Sequence, residues 1–479
     1  MGPNPVTLLL EDFLGHVERR PDVAALVDGR GRVTSYAKLA QMSAQRAIAF
    51  RTAGIGRGDV VLVARGVSPE LYATLLALFR LGAVAMFPEP AAGLAGLAVA
   101  VEAAEPKAMA AGVLGRAIRL LSPALRRLPV LPEDHQSIDS DGPLESVGDE
   151  EPALITFTSG STGRPKGIVR STGFLRLQHD LLERVRQTTP DDVDLISLPV
   201  FILSNLAAGA TSVLPPGKIT RPGRLDPERM RRQIATFGVN RVVAPPAVCA
   251  RLIEGVHEPP PLNAIFTGGG PVFPNLLKGL NAAAPDAIIH AVYGSTEAEP
   301  IAHIRFAEIS ASDWAAMAAG AGLLAGRPIP EASVSIRGDE ITVAGPHVNR
   351  GYLDPRADAS TKFTSDGVLR HRTGDAGRID DQGRLWLLGR CEAAARGLYP
   401  FAVETAALSW DGVRQAALLA DRHPALLVVT GSGLDEADLT RRAAALGDVQ
   451  CRVVKTIPLD RRHNSKIDYA ALRTRIDRS

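Results

Sequence analysis

The chain has 479 residues, 46% of them apolar and 22% charged. That is too long for one simple core and too apolar for wholesale disorder, so we expect a soluble protein of roughly two to four domains or subdomains. Lys plus Arg total 54 against 52 for Asp plus Glu, and a net charge of +2 gives no reason to expect a nucleic-acid or anionic-membrane partner.

From the N-terminus, the short apolar run has no basic segment ahead of it and meets Glu11-Asp12 at once, which is a poor signal peptide. Val6 breaks the myristoylation pattern. Short β-branched runs then alternate with longer helical patterns. Residues 60–63 read as a strand, 69–81 as a helix and 83–87 as a strand. The apolar run 91–101 is far shorter than the roughly 20 residues that span a bilayer. Residues 135–151 are polar and acidic, an exposed connector. Residues 154–157 form a strand that ends in a Ser/Gly/Thr loop, and 241–244, 264–266 and 287–292 look like further buried strands. This alternation predicts an α/β fold with mainly parallel sheets. Residues 331–346 and 376–389 change to short strands with turn signals, as in an antiparallel β region. Beyond Cys391, strands at 413–419 and 425–429 and a helix at 436–445 predict a small α+β domain. Cys249, Cys391 and Cys451 are far apart and form no disulfide framework, as expected in a reducing, cytoplasmic setting.

The strongest local signal is Thr158-Ser159-Gly160-Ser161-Thr162-Gly163-Arg164-Pro165-Lys166-Gly167. Glycines let the backbone approach a ligand closely. Hydroxyls and backbone N–H groups donate to phosphate oxygens, and Lys166 adds a positive charge. It is not a Walker A loop, because Pro165 stands where that pattern needs Gly. A generic Ser/Gly turn is the bland alternative, but this order of residues is much rarer.

TFTSGSTGRPKG resembles the phosphate loop of the adenylate-forming superfamily, which holds acyl-CoA synthetases, nonribosomal-peptide adenylation domains and luciferases. The resemblance implies that a carboxylate and ATP become an acyl-adenylate and pyrophosphate. Four further segments match in order. Gly268-Gly269-Gly270-Pro271 resembles the turn along the adenine. Tyr293-Gly294-Ser295-Thr296-Glu297 resembles the segment whose Tyr stacks on adenine, whose Thr contacts the α-phosphate and whose Glu holds Mg²⁺. Arg372-Thr373-Gly374-Asp375 resembles the segment whose carboxylate accepts from both ribose hydroxyls, and Arg390 would sit near the ribose. Asn464-Ser465-Lys466-Ile467-Asp468 resembles the segment whose Lys bridges carboxylate and α-phosphate. Each has a structural alternative: a tight turn, a core Tyr, an exposed turn Asp, a solvated Lys.

The resemblance implies a large N-terminal domain over 1–390, of mainly parallel sheets flanked by helices plus a β subdomain. It also implies a small mobile α+β domain over 391–479 that carries Lys466. Catalytic roles fall to Lys466, Thr296 and Glu297. The nucleotide falls to Thr158, Ser159, Gly160, Ser161, Thr162, Gly163, Lys166, Gly268, Gly269, Gly270, Tyr293, Gly294, Ser295, Asp375 and Arg390. ATP and Mg²⁺ are the implied cofactors and a small carboxylic acid, β-hydroxy or fatty, the partner; nucleic acid and a membrane span are not.

The second half-reaction stays open. Phe201 is followed by Ile202 where CoA ligases often carry His, and the loop at Arg396-Gly397-Leu398-Tyr399-Pro400 is short. The stretches LPVFILSNLAAGATSVLP, GRLWLLGR and DRRHNSKID look most like the olefin β-lactone synthetases, in which the substrate's own hydroxyl displaces AMP. The segment CEAAAR lacks that group's His-Arg. An acyl-CoA or acyl-carrier ligase, an amide-forming relative, and a nucleotide-binding protein without catalysis are the alternatives. Phe201, Asn205 and Gly294-Ser295 are the acid-pocket candidates by motif neighbourhood.

Overall fold

The computed structural model describes residues 8–89, 92–133, 142–159, 165–219, 221–255, 260–459 and 466–478. The chain folds as two compact units, one of residues 1–216 with 349–360, the other of residues 217–348 with 361–479.

In the first unit, five strands run in the order Ala108–Ala111, Val60–Ala64, Val84–Phe87, Pro152–Ser159, Pro165–Ser171. The first four pair in parallel; the last returns antiparallel. Leu62, Met86, Met109, Ile155 and Phe157 bury one face of this sheet under the helix Gly93–Ala104, which contains most of the apolar run at 91–101. The predicted helix at 69–81 is Pro69–Arg80; Ser68 starts it by accepting from the Leu71 N–H, and Pro69 fits the first turn. Four more strands pair in the order Val193–Ile196, Thr211–Val213, Ala24–Val27, Val33–Ser35. The predicted connector at 135–151 lies partly outside the described residues; 142–149 contain neither helix nor strand.

In the second unit, Arg241–Ala244, Ala264–Gly268 and Ile288–Ser295 are parallel. Ala298–Arg305, Leu323–Pro328, Leu385–Arg390, Val368–Ile379, Glu340–Ala344 and Ser333–Arg337 then continue antiparallel. The antiparallel region predicted at 331–346 and 376–389 is antiparallel, but the change from parallel pairing comes earlier, at Ala298–Arg305. The fold is α/β. No helix among the described residues is long and apolar enough to cross a membrane. The three cysteines are unpaired.

The last part of this unit is a three-stranded sheet, Val413–Leu419, Ala425–Gly431 and Val449–Val453. Strand alternation sends Leu418, Leu427 and Val429 to one apolar cluster and Ala417, Leu419 and Val428 to another, with Leu472 and Ile476 of the helix Tyr469–Asp477. Glu404, on the helix Pro400–Ala407, is fully buried between these elements. Its Oε1 accepts from the Leu418 N–H at 2.9 Å and the Tyr469 hydroxyl at 2.7 Å, while Oε2 has no partner among the described residues.

Burial, outweighing those two bonds, pushes the Glu404 carboxyl from 4.5 up to about 7. Between these two values the folded chain holds a proton that the unfolded chain has released. The contribution is therefore complete below 4.5 and is lost as pH rises through about 7. We expect the urea midpoint of wild type to fall over this window relative to Glu404→Gln, whose neutral amide cannot titrate. Parallel pH profiles for the two proteins would refute the assignment.

Candidate active site

Gly268 ends the strand Ala264–Gly268, and Gly269 and Gly270 follow it. A Cβ on Gly268 would lie 2.5 Å from the Val292 carbonyl oxygen of the neighbouring strand, so only glycine lets the two backbones meet here. Gly269 turns left-handed at φ +74°. The neighbouring strand continues past its predicted end at 292 through Tyr293, Gly294 and Ser295, and Thr296 and Glu297 make the turn into Ala298–Arg305.

The Tyr293 hydroxyl donates to Asp375 Oδ2 at 2.9 Å. Burial first, and the Asp375 charge second, hold this phenol well above its usual pKa, so it stays a donor. Asp375 faces Arg390 across a strand pair, and Arg390 Nη1 reaches Asp375 Oδ1 at 3.1 Å and the Thr373 carbonyl at 2.9 Å. The RTGD segment is thus strand, not an exposed turn. Sequence reasoning missed its anchor: Glu340 accepts from Arg372 at 2.8 Å and from the Gly374 N–H at 3.1 Å. Glu340 precedes these residues by more than thirty positions, and only the strand pairing reveals it. One carboxylate therefore ends with a phenol and a guanidinium on its two oxygens, a polar group held rigid for further acceptance.

Ser295 Oγ is shielded from water and has no hydrogen-bond partner among the described residues. Glu297 and Lys362 both act on the buried His371, whose Nδ1 lies 3.2 Å from the Thr361 carbonyl. Burial, the larger effect, lowers the His371 pKa, so the ring next to Glu297 is neutral. No cluster of three or more His, Cys, Asp or Glu could hold a metal among the described residues. A single carboxylate on a turn fits Mg²⁺, whose other ligands are characteristically phosphate oxygens and water.

In the first unit, Thr158 pairs with Lys166 and Ser159 with Pro165, so the Ser/Gly loop joins two antiparallel arms. Sequence reading found the first arm and missed the second; the β-branched Ile168-Val169 was its signal. Gly160, Ser161, Thr162 and Gly163 lie outside the described residues. Lys166 sits 5.7 Å from the centre of the Tyr352 ring, a cation–π contact that aims its chain. Lys466 is exposed, one residue before the bridge between Ile467 and Leu459; Asp468 then caps the last helix, accepting from the Ala471 N–H at 2.9 Å.

Asn205 departs from expectation. It is fully buried and its side chain is spent on Arg186, Asp194 and Ser212, so it cannot face an acid. Phe201 lies under the Arg186 guanidinium at 5.6 Å.

Residues 13–353 match the profile of the AMP-binding enzymes. The chain belongs to the AMP-binding enzyme family. As a member it is an AMP-forming adenylating enzyme, and its family activates small carboxylic acids as acyl-adenylates. Among its relatives is an olefin beta-lactone synthetase of Stenotrophomonas maltophilia, 32% identical over 86% of each chain. Another of that name, from Xanthomonas campestris pv. campestris, is 31% identical over 94% of this chain and 93% of its own. The fold is also that of ATP-bound MatB from Rhodopseudomonas palustris, with a TM-score of 0.81 and 22% identity over 98% of this chain and 99% of that one.

Proposed function

We propose that this AMP-binding enzyme activates a β-hydroxy acid with ATP and Mg²⁺ and closes it to a β-lactone. The observation that carries this reading is the relationship to two olefin beta-lactone synthetases over most of both chains. In this reading, Tyr293 and the glycines at 268–270 take the adenine. Asp375, steadied by Arg390, takes the ribose hydroxyls. Thr158, Ser159, Gly160, Ser161, Thr162, Gly163, Lys166 and Ser295 take phosphate oxygens. Glu297 is the residue to hold Mg²⁺, which when bound neutralises phosphate charge.

The acid's carboxylate oxygen attacks the α-phosphorus and pyrophosphate leaves. Thr296 donates to an α-phosphate oxygen, and Lys466 supplies the cation where charge accumulates. The substrate's β-hydroxyl oxygen then bonds to the acyl carbon, the acyl–phosphate bond breaks, and AMP leaves as the hydroxyl proton passes to solvent. A nucleophile already carried by the substrate needs no second encounter. In the same proposal, residues 391–479 act as the mobile domain that brings Lys466 to the nucleotide.

The test is pyrophosphate exchange over a panel of acids, followed by mass spectrometry of products with and without CoA. Exchange with a β-hydroxy acid and a neutral lactone made without CoA are expected. A thioester formed only with CoA would replace the lactone reading by a ligase. Tight ATP binding with no exchange for any acid would leave a nucleotide-binding protein.

A further inference from the structure

The helix Val113–Leu121 of the first unit is amphipathic in the reverse sense. Val113, Leu114, Leu120 and Leu121 are 89%, 74%, 68% and 69% exposed, and Ala117 is exposed between them. Helical spacing puts these five on one stripe. The opposite side is Gly115, where a Cβ would lie 2.4 Å from the Ala64 carbonyl oxygen and 2.9 Å from the Ala64 side chain. The helix therefore rests its backbone on the strand Val60–Ala64 through a glycine and turns its aliphatic side chains to water.

Charge within this stretch of sequence is one-sided, although acids lie at its two ends, Glu105 and Glu133. Residues 106–132 contain no Asp or Glu but hold Lys107, Arg116, Arg119, Arg126 and Arg127. Lys107 pairs with Asp59, Arg116 with Glu133, and Arg119 bonds the carbonyls of Arg126 and Leu128. Arg126 and Arg127 are exposed and form no ion pair among the described residues.

We propose that this face docks on an anionic phospholipid bilayer. The aliphatic stripe enters the boundary between headgroups and acyl chains, and Arg126 and Arg127 meet the phosphates. A lipid surface fits better than a protein. Binding hot spots on proteins are rich in Trp, Tyr and Arg and poor in Leu and Val; residues 106–132 hold Arg but no aromatic residue, and their exposed stripe is aliphatic. A fluid interface also accepts a protruding ridge without a matching groove. Near-zero net charge gave no reason to expect such a partner, but a surface senses only charges within about one Debye length, roughly 8–10 Å.

The full chain should be sedimented with vesicles of phosphatidylglycerol and phosphatidylcholine, and with phosphatidylcholine alone. Pelleting with the anionic vesicles only, weakened by added salt, is expected. The double variant Leu120→Glu/Leu121→Glu should lower binding about ten-fold or more. Arg126→Glu/Arg127→Glu should lower it roughly five-fold per charge. Both should keep the wild-type unfolding midpoint, since these side chains stand in solvent. Absence of pelleting, equal pelleting with both vesicles, or wild-type binding by both variants would overturn the proposal. Self-association lost in Leu120→Glu/Leu121→Glu, without vesicle binding, would also overturn it and place a second copy of the chain there.

Discussion

Replacing Lys466 by Ala is expected to lower acyl-adenylate formation by ~10²-fold or more, the scale for losing one preorganised donor or charge at a developing oxyanion. The side chain is exposed, and the bridge of Ile467 to Leu459 and the Asp468 cap are made by other residues. The unfolding midpoint is expected to change by much less than activity, as is usual for an exposed side chain. ATP affinity should change little, since Tyr293, Asp375 and Arg390 are untouched. Pyrophosphate exchange separates these effects. Exchange near the wild-type rate in Lys466→Ala would remove Lys466 from the chemistry and leave it an ordinary solvated lysine.

The largest effect on stability is expected from Asp194→Ala. Asp194 and Arg186 are almost fully buried and meet at 2.6 Å, and Asn205 donates to the same carboxylate oxygen at 2.9 Å. Removing the acid strands a guanidinium in the interior, and breaking one side of such a pair costs about 3–5 kcal/mol. Arg186 keeps Glu183 at 3.0 Å, which places the expected loss toward the lower end of that range. The double variant Asp194→Leu/Arg186→Met should recover much of it, because well-packed apolar residues can replace a buried pair. Urea titration with an unchanged slope reads the difference directly. Wild-type stability in Asp194→Ala would mean that the pair contributes nothing.

The residues proposed for the nucleotide stand out in the sequence because they are contiguous. Tyr293 to Glu297 and Arg372 to Asp375 are each one run of residues whose types suit a base, a diol and a hard cation. The structure then draws Tyr293, Asp375 and Arg390 together within 3.1 Å. Asn205 was misread for the opposite reason. Its partners lie at 186, 194 and 212, and nothing local distinguishes an amide that faces a ligand from one that closes a buried network. The same holds for Glu340, whose tie to Gly374 exists only through strand pairing. Strands at 60–64 and 413–419 were readable from composition; the returning arm 165–171 was not, because Pro165-Lys166-Gly167 begins it with poor strand formers.

The sheet of Val413–Leu419, Ala425–Gly431 and Val449–Val453 owns an interior on each of its faces. Under the proposed function, Lys466 belongs to a segment with apolar clusters of its own, formed by residues other than Tyr293, Asp375 and Arg390. In that reading, substitutions confined to this segment are expected to change turnover more than ATP affinity, so that speed and affinity could be tuned apart.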